Sequence, residues 1–355
     1  MTTPINVHVL TGFLGSGKTT LLNRMLREER LSNTAVVVNE FGAIGVDHLL
    51  VEQSDDQLVT LAGGCVCCTV RGDLAVTLAE LLMRRDDNLC LPFERIVIET
   101  TGLADPAPIA NLLTTDPVLA ERLTLGCVVA TVDAAVAADE RADPLLHHIE
   151  AQRQVAFADH LVVTKADLSP LSAQLLRERL ASRNPNASIT NAIQGDVPNI
   201  DALFSASPYD AESVPRAIDA AQLGGPVSHS GHGPSESMID SFVLYRDEPL
   251  HAATLPLFVT ALAEQLGPRL LRVKGFVAIE KMLERPAVLQ GVQHVFHPLD
   301  FLDEWPGDDR RTRLVFIVQD VSPTWVRCLL DGLDWEARAI SRELETARLA
   351  NSELK

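Results

Sequence analysis

Residues 12–19 read Gly12-Phe13-Leu14-Gly15-Ser16-Gly17-Lys18-Thr19, and this stretch decides how the first half of the chain folds. It fits the pattern G-x-x-x-x-G-K-[ST]. It follows an apolar run at residues 5–10 and opens a helical pattern at 19–30, the strand-then-helix setting that the pattern requires. The glycines let the backbone curl until successive N–H groups converge on one point, where they attract phosphate oxygens. Lys18 adds charge directed at β- and γ-phosphates, and Thr19 offers a hydroxyl suited to Mg²⁺. Gly12, Gly15, Ser16, Gly17, Lys18, Thr19 and Thr20 are the nucleotide contacts this reading expects.

The same alternation continues outward from the loop. Short apolar runs fall at 35–38, 95–98, 127–132 and 161–163, and helical periodicity at 74–85, 149–158 and 171–182. Strands written as continuous apolar runs belong to a parallel sheet covered on both faces. The expected fold is a three-layer α/β P-loop domain over residues 1–204. Residues 205–238 shift to Ser, Pro, Gly and Ala and read as a flexible linker. A small α+β domain is expected over 239–355, with strands at 241–245, 272–280, 288–297 and 314–318 and helices at 255–266 and 324–349.

Two further motifs sit at strand ends. Glu99-Thr100-Thr101-Gly102 follows the run at 95–98. An acid there can hold Mg²⁺, and a glycine three residues on can meet a γ-phosphate through its N–H. Thr164-Lys165-Ala166-Asp167 resembles N-K-x-D, the guanine-reading motif, with Thr in the Asn position. The Asp167 carboxylate can accept from two guanine N–H groups, a donor pair adenine lacks, while the Lys165 stem covers the base. GTP and GDP are therefore the expected ligands. Hydrolysis would rest on Lys18, Thr19 and Glu99, with no arginine finger or water-orienting Gln assignable, so slow turnover accelerated by a client or by homodimerisation is expected.

The chain holds six cysteines, three of them in Gly63-Gly64-Cys65-Val66-Cys67-Cys68-Thr69. Thiolates at Cys65, Cys67 and Cys68 can fill three of zinc's four tetrahedral positions, leaving the fourth to water, Glu40 or a client's ligand. Cobalt or another borderline-soft metal fits the same donors. Redox sensing and plain core packing are the competing readings of the cluster. Cys90, Cys127 and Cys328 stand alone and read as buried packing residues; His147 and His148 read as helix-surface residues.

Composition narrows the classes further. Of 355 residues, 46% are hydrophobic, enough for well-formed cores, and 48 acids against 30 bases give a formal charge of -18. Such a surface repels phosphate backbones, so no nucleic-acid partner is expected. The start, MTTPINVHVL, has no basic leader region, and no apolar run approaches the about 20 residues a bilayer requires. No membrane partner and a cytoplasmic location are expected, where free thiols persist.

The motifs in order, GFLGSGKTT, NEFGAIGVD, GGCVCC, ETTGLADP and TKAD, resemble the CobW family of P-loop GTPases, with UreG and HypB as more distant relatives. RVKGFVAIE, LQGVQHVFHP and RRTRLVFIVQD resemble that family's C-terminal domain. The resemblance implies a metallochaperone that uses GTP hydrolysis to deliver metal, zinc in the best understood branch, to an apo-metalloprotein client. A nucleotide-switched metal or redox sensor that regulates a partner is the alternative. Two positions depart from the family pattern: Thr164 replaces Asn, and Ala43 stands where many members carry Glu.

Overall fold

The computed structural model describes residues 4–31, 33–39, 58–60, 66–69, 73–90, 92–205, 239–296 and 299–352. The chain forms two compact units, Met1–Asp210 and Ala211–Lys355. Residues 206–238, most of the expected linker, lie outside the described residues, and Ser205 closes a helix.

The first unit runs β1 (Ile5–Gly12), α1 (Lys18–Met25), β2 (Thr34–Asn39), β3 (Leu58–Thr60), β4 (Val66–Thr69), α2 (Leu74–Asp86) and β5 (Arg95–Thr100). It continues with α3 (Ala107–Thr115), α4 (Pro117–Ala120), β6 (Leu123–Asp133), α5 (Pro144–His147), α6 (Ile149–Phe157), β7 (His160–Thr164), α7 (Pro170–Arg183), β8 (Ser188–Asn191) and α8 (Ile200–Ser205). The sheet order is β3-β4-β2-β5-β1-β6-β7-β8, and every pairing is parallel except β3 with β4. Neighbouring strand residues feed opposite cores, because side chains alternate across a sheet. Val129 and Val162 join Leu21, Met25 and Phe204 on one face, while Ala130, Leu161 and Val163 join Val155 and Leu176 on the other. This is the three-layer arrangement expected from the sequence, and it places the C-terminal ends of β1, β5, β6 and β7 along one edge.

The length of the helix after the P-loop and the exposure of two cysteines differ from expectation. The helix after the P-loop ends at Met25, and a 3₁₀ turn at Glu29–Leu31 carries buried Leu31 back to the core. The end of the cysteine run is strand β4, seated beside β2. Of the isolated cysteines, Cys127 is buried as expected, Cys90 is half-buried and Cys328 is exposed.

The second unit contains β9 (Ile239–Arg246), α9 (Thr254–Leu266), β10 (Leu270–Val277), β11 (Ala287–Val292), β12 (Val295–Phe296), β13 (Asp300–Phe301), β14 (Thr312–Gln319) and α10 (Pro323–Ser352). Its antiparallel sheet runs β12-β11-β10-β14-β9, with β13 on β11. The single strand expected at 288–297 is instead a hairpin that turns at Gln293, whose φ is 51°. Phe258 and Leu262 of α9 and Val326 and Leu330 of α10 pack with Val273, Leu289 and Phe316. Buried Asp334 accepts from Arg246, Arg338, the His251 N–H and Thr254 Oγ1, so its charge is paired where water cannot reach it. Among the described residues, no helix is long and apolar enough to cross a membrane.

A histidine lies buried in the first unit. His8 on β1 is 2% exposed; its Nδ1 accepts the Cys127 N–H at 3.0 Å and its ring meets Phe204 edge-on. Burial, and next the Arg95 charge, push its pKa down to about 4. On unfolding the ring regains its ordinary value of about 6.5, so as pH falls the unfolded chain takes the proton first. This contribution is intact above about pH 6.5 and is lost as pH falls toward 4, by up to about 3 kcal/mol. In urea unfolding of the full chain, His8→Gln should flatten the decline in stability between pH 7 and 4 relative to wild type; parallel profiles would contradict it.

Candidate functional site

β1 ends at Gly12, and the chain loops through Gly15 into α1 at Lys18. Gly17 caps the helix with φ 93° and ψ 19°, a left-handed conformation that a side chain would strain. Lys18 is 8% exposed, and its Nζ donates to the carbonyls of Gly12 at 2.9 Å and Phe13 at 3.3 Å. The ammonium is thus folded over the concave side of its own loop. Three contacts hold the loop from outside. Ser16 Oγ and Thr131 Oγ1 share a hydrogen bond of 2.7 Å, Thr164 Oγ1 donates to Ser16 O at 2.7 Å, and Lys165 Nζ donates to Gly15 O at 3.1 Å. Thr20 is exposed and lies against Gly195 in the loop after β8.

Thr19, in the first turn of α1, donates through Oγ1 to Glu99 Oε1 at 2.8 Å. Glu99 ends a buried strand and is itself 2% exposed. Next to it, Thr100 Oγ1 donates to Thr11 Oγ1 at 2.9 Å, tying β5 to β1. The chain then brings Gly102 against the P-loop. A Cβ at Gly102 would fall 2.7 Å from the Leu14 nitrogen and 2.8 Å from its Cα, so only glycine permits this approach.

Thr164 ends β7, and Lys165 and Asp167 follow it. The Thr164 hydroxyl donates to the carbonyl of Ser16, so this residue ties the end of β7 to the P-loop. Lys165 has φ 54°, and its Nζ also pairs with Asp133 Oδ2 at 2.6 Å. Asp167 is exposed in the turn that leads to α7.

Of the expected metal residues, Glu40 and Cys65 lie outside the described residues, as does Ala43. The backbones of Cys67 and Cys68 occupy successive positions of β4. The register runs straight across three strands: Cys67, Val36 and Val97 form one row, and Cys68, Val37 and Ile98 the next. The following row is Thr69, Val38 and Glu99. Two strand spacings separate β4 from β5, about 10 Å. Among the described residues, no group of three or more His, Cys, Asp or Glu is placed to hold a metal ion.

Several residues at this site carry little sequence signal. Thr131 and Asp133 end β6, and Asp133 also caps the turn after it through the Ala135 N–H. His148, exposed at the N-cap of α6, sets its ring against Phe13 with centroids 4.7 Å apart and the planes tilted by 36°. Gln154 on α6 donates to the carbonyls of Gly102 at 3.2 Å and Ala104 at 3.0 Å, and Arg153 pairs with Asp105 at 3.0 Å. A cavity of about 130 Å³ lies under the loop, lined by Leu14, Thr131, Asp133, Leu145, Gln154 and Val155 among others. A polar residue on the buried stripe of α6 was the one available clue to Gln154.

Comparison with known proteins agrees with this geometry. Residues 6–191 match the CobW/HypB/UreG nucleotide-binding domain, and residues 239–333 match the cobalamin synthesis protein cobW C-terminal domain. The zinc chaperone YjiA of Escherichia coli is 34% identical over 335 residues, covering 93% of this chain and 99% of that protein. The zinc chaperone CobW of Pseudomonas aeruginosa is 33% identical over 350 residues, covering 89% and 88%. The crystal structure of Zn(II)-bound YjiA GTPase superposes with a TM-score of 0.69 at 30% identity, covering 94% of this chain and 99% of that one. Both family models fall on the units that carry the motifs, so the chain belongs to the CobW family of P-loop GTPases.

Proposed function

We propose that this GTPase is a metallochaperone: it holds zinc on Cys65, Cys67 and Cys68 and releases it to an apo-metalloprotein client as GTP is hydrolysed. The observation that supports this most directly is the register that sets Cys68 one row from Glu99, two strands away. A change at the nucleotide can reach the cysteine strand through β5 and β2. The relatives named as zinc chaperones support zinc as the cargo.

Thiolates suit zinc because sulfur is a soft donor, and three protein ligands leave one position through which the metal can be exchanged. Glu40, which follows the end of β2, is our choice for the fourth ligand in the loaded state. Its place between the P-loop and the cysteines in the chain makes it a natural switch element.

Nucleotide binding follows from the loop. Lys18 neutralises β- and γ-phosphate charge; the N–H groups of Gly15 to Thr20 surround the phosphates, and Gly102 contributes its N–H to the third. A buried hydroxyl–carboxylate pair is a hard-oxygen set that fits Mg²⁺, so Thr19 and Glu99 would hold that ion. When bound, Mg²⁺ supplies charge that offsets the phosphate oxygens. Asp167 accepts from the guanine N–H pair, and Lys165, held by Asp133, lies beside the base.

Lys18→Ala should weaken GDP binding by about 100-fold or more, read by titration with a fluorescent GDP analogue; retained tight binding would overturn the site. Thr164→Val keeps the methyl contact to Gly17 and loses the bond to Ser16. It should weaken GDP by about fivefold, with Thr164→Asn restoring most of the loss; wild-type affinity in Thr164→Val would remove the bracing role. For the chaperone reading, metal analysis of purified protein should give one zinc per chain in wild type and markedly less in Cys67→Ser. Addition of GTP should speed zinc transfer to a chelator in wild type and leave Lys18→Ala unchanged. Equal zinc in both proteins, or transfer indifferent to GTP, would sink it.

A further inference from the structure

Helix α6 touches both halves of the phosphate site. At its N-cap, the His148 ring lies on Phe13 of the P-loop. One turn further, Arg153 and Gln154 hold the segment that follows Glu99. Arg153 Nη1 pairs with Asp105 Oδ2, and the other Asp105 oxygen caps the start of α3 through the Ala107 N–H. Gln154 reaches the same segment from beneath.

Gln154 is an unusual choice for its position. It is 1% exposed, between the buried apolar neighbours Ala151 and Val155. Its Nε2 protons go to Gly102 O and Ala104 O, while its Oε1 is buried with no hydrogen-bond partner. A buried acceptor left open costs stability, and an unbranched apolar side chain such as Met would fill the space without that cost. What the amide gives that Met cannot is a grip on two carbonyls of one short segment. That segment is the one whose other side rests on Leu14. The cavity beside it, which Gln154 and Leu14 both line, leaves the amide room to follow the segment if it moves.

We propose that Gln154 is a positioning residue for γ-phosphate recognition. By holding the Gly102 and Ala104 carbonyls it sets the Gly102 N–H toward the third phosphate, and α6 carries the state of that segment to the P-loop through His148 and Phe13. GDP has no third phosphate, so its binding does not draw on this grip. The proposal rests on the reading of Gly102 as a γ-phosphate contact.

The test uses the full chain with Mg²⁺ and compares affinities for GDP and for a non-hydrolysable GTP analogue, together with kcat for GTP. Gln154→Met should keep GDP affinity within about twofold of wild type. It should weaken the analogue, and lower kcat, by about tenfold, the worth of two lost hydrogen bonds. An equal loss for both nucleotides, or no loss for either, overturns the proposal, since a merely structural role would not move the ratio. If Gln154→Met fails to fold, Arg153→Ala decides: the analogue-to-GDP ratio should fall by about threefold, and an unchanged ratio overturns it. Gly102→Ala separates the two readings. GTP hydrolysis at the wild-type rate in that variant removes the Gly102 reading and this one with it. Impaired hydrolysis there beside wild-type behaviour in Gln154→Met removes the Gln154 role alone.

Discussion

The hydroxyl of Thr19 donates to the carboxylate of Glu99 at 2.8 Å, and this bond constrains the rest of the nucleotide unit. A carboxylate only 2% exposed is costly unless its oxygens are satisfied. Its partner comes from the first turn of a helix, where the N-terminal end of the macrodipole favours negative charge. To make the bond, β5 must lie beside β1 in the register that pairs Leu10 with Glu99, and the chain must turn sharply from β1 into α1. The left-handed Gly17 makes that turn. The apolar strands then bury themselves between two helical layers, and the polar ends of β1, β5, β6 and β7 collect at one edge.

From that edge, information can travel two ways. Across the sheet, the row Glu99–Val38–Thr69 and the row Ile98–Val37–Cys68 join the strand that carries Glu99 to the cysteine strand by backbone hydrogen bonds. Beneath the loop, α6 grips the segment after Glu99 through Gln154 and Arg153 and meets the P-loop through His148. The proposed metallochaperone role calls for such a link, because cargo would be held in one nucleotide state and released in the other.

Much of this was legible in the sequence because it depends on local chemistry. The glycines, Lys18 and Thr19 announce a phosphate loop within eight residues, and the period of the apolar runs separates strands from helices. Glu99 and Gly102 could be named because they stand at and just past the end of an apolar strand. The sequence was silent where function depends on residues distant in the chain. Thr131, Asp133, His148 and Gln154 reach the loop only through folding, and one polar residue on the buried stripe of α6 is too slight a signal to name Gln154. Thr164 shows the same limit: nothing in the motif tells that its hydroxyl bonds to a carbonyl 148 positions earlier in the chain. The hairpin at Gln293 was missed because a single polar pair inside an apolar run does not break a strand pattern.

The central claim is that nucleotide state and zinc affinity are coupled through the sheet. It is tested most directly by measuring the zinc dissociation constant of the full chain with Mg²⁺, once saturated with GDP and once with a non-hydrolysable GTP analogue. The account predicts affinities that differ by at least about fivefold, with the difference lost in Cys67→Ser. Equal zinc affinity in the two nucleotide states would contradict it.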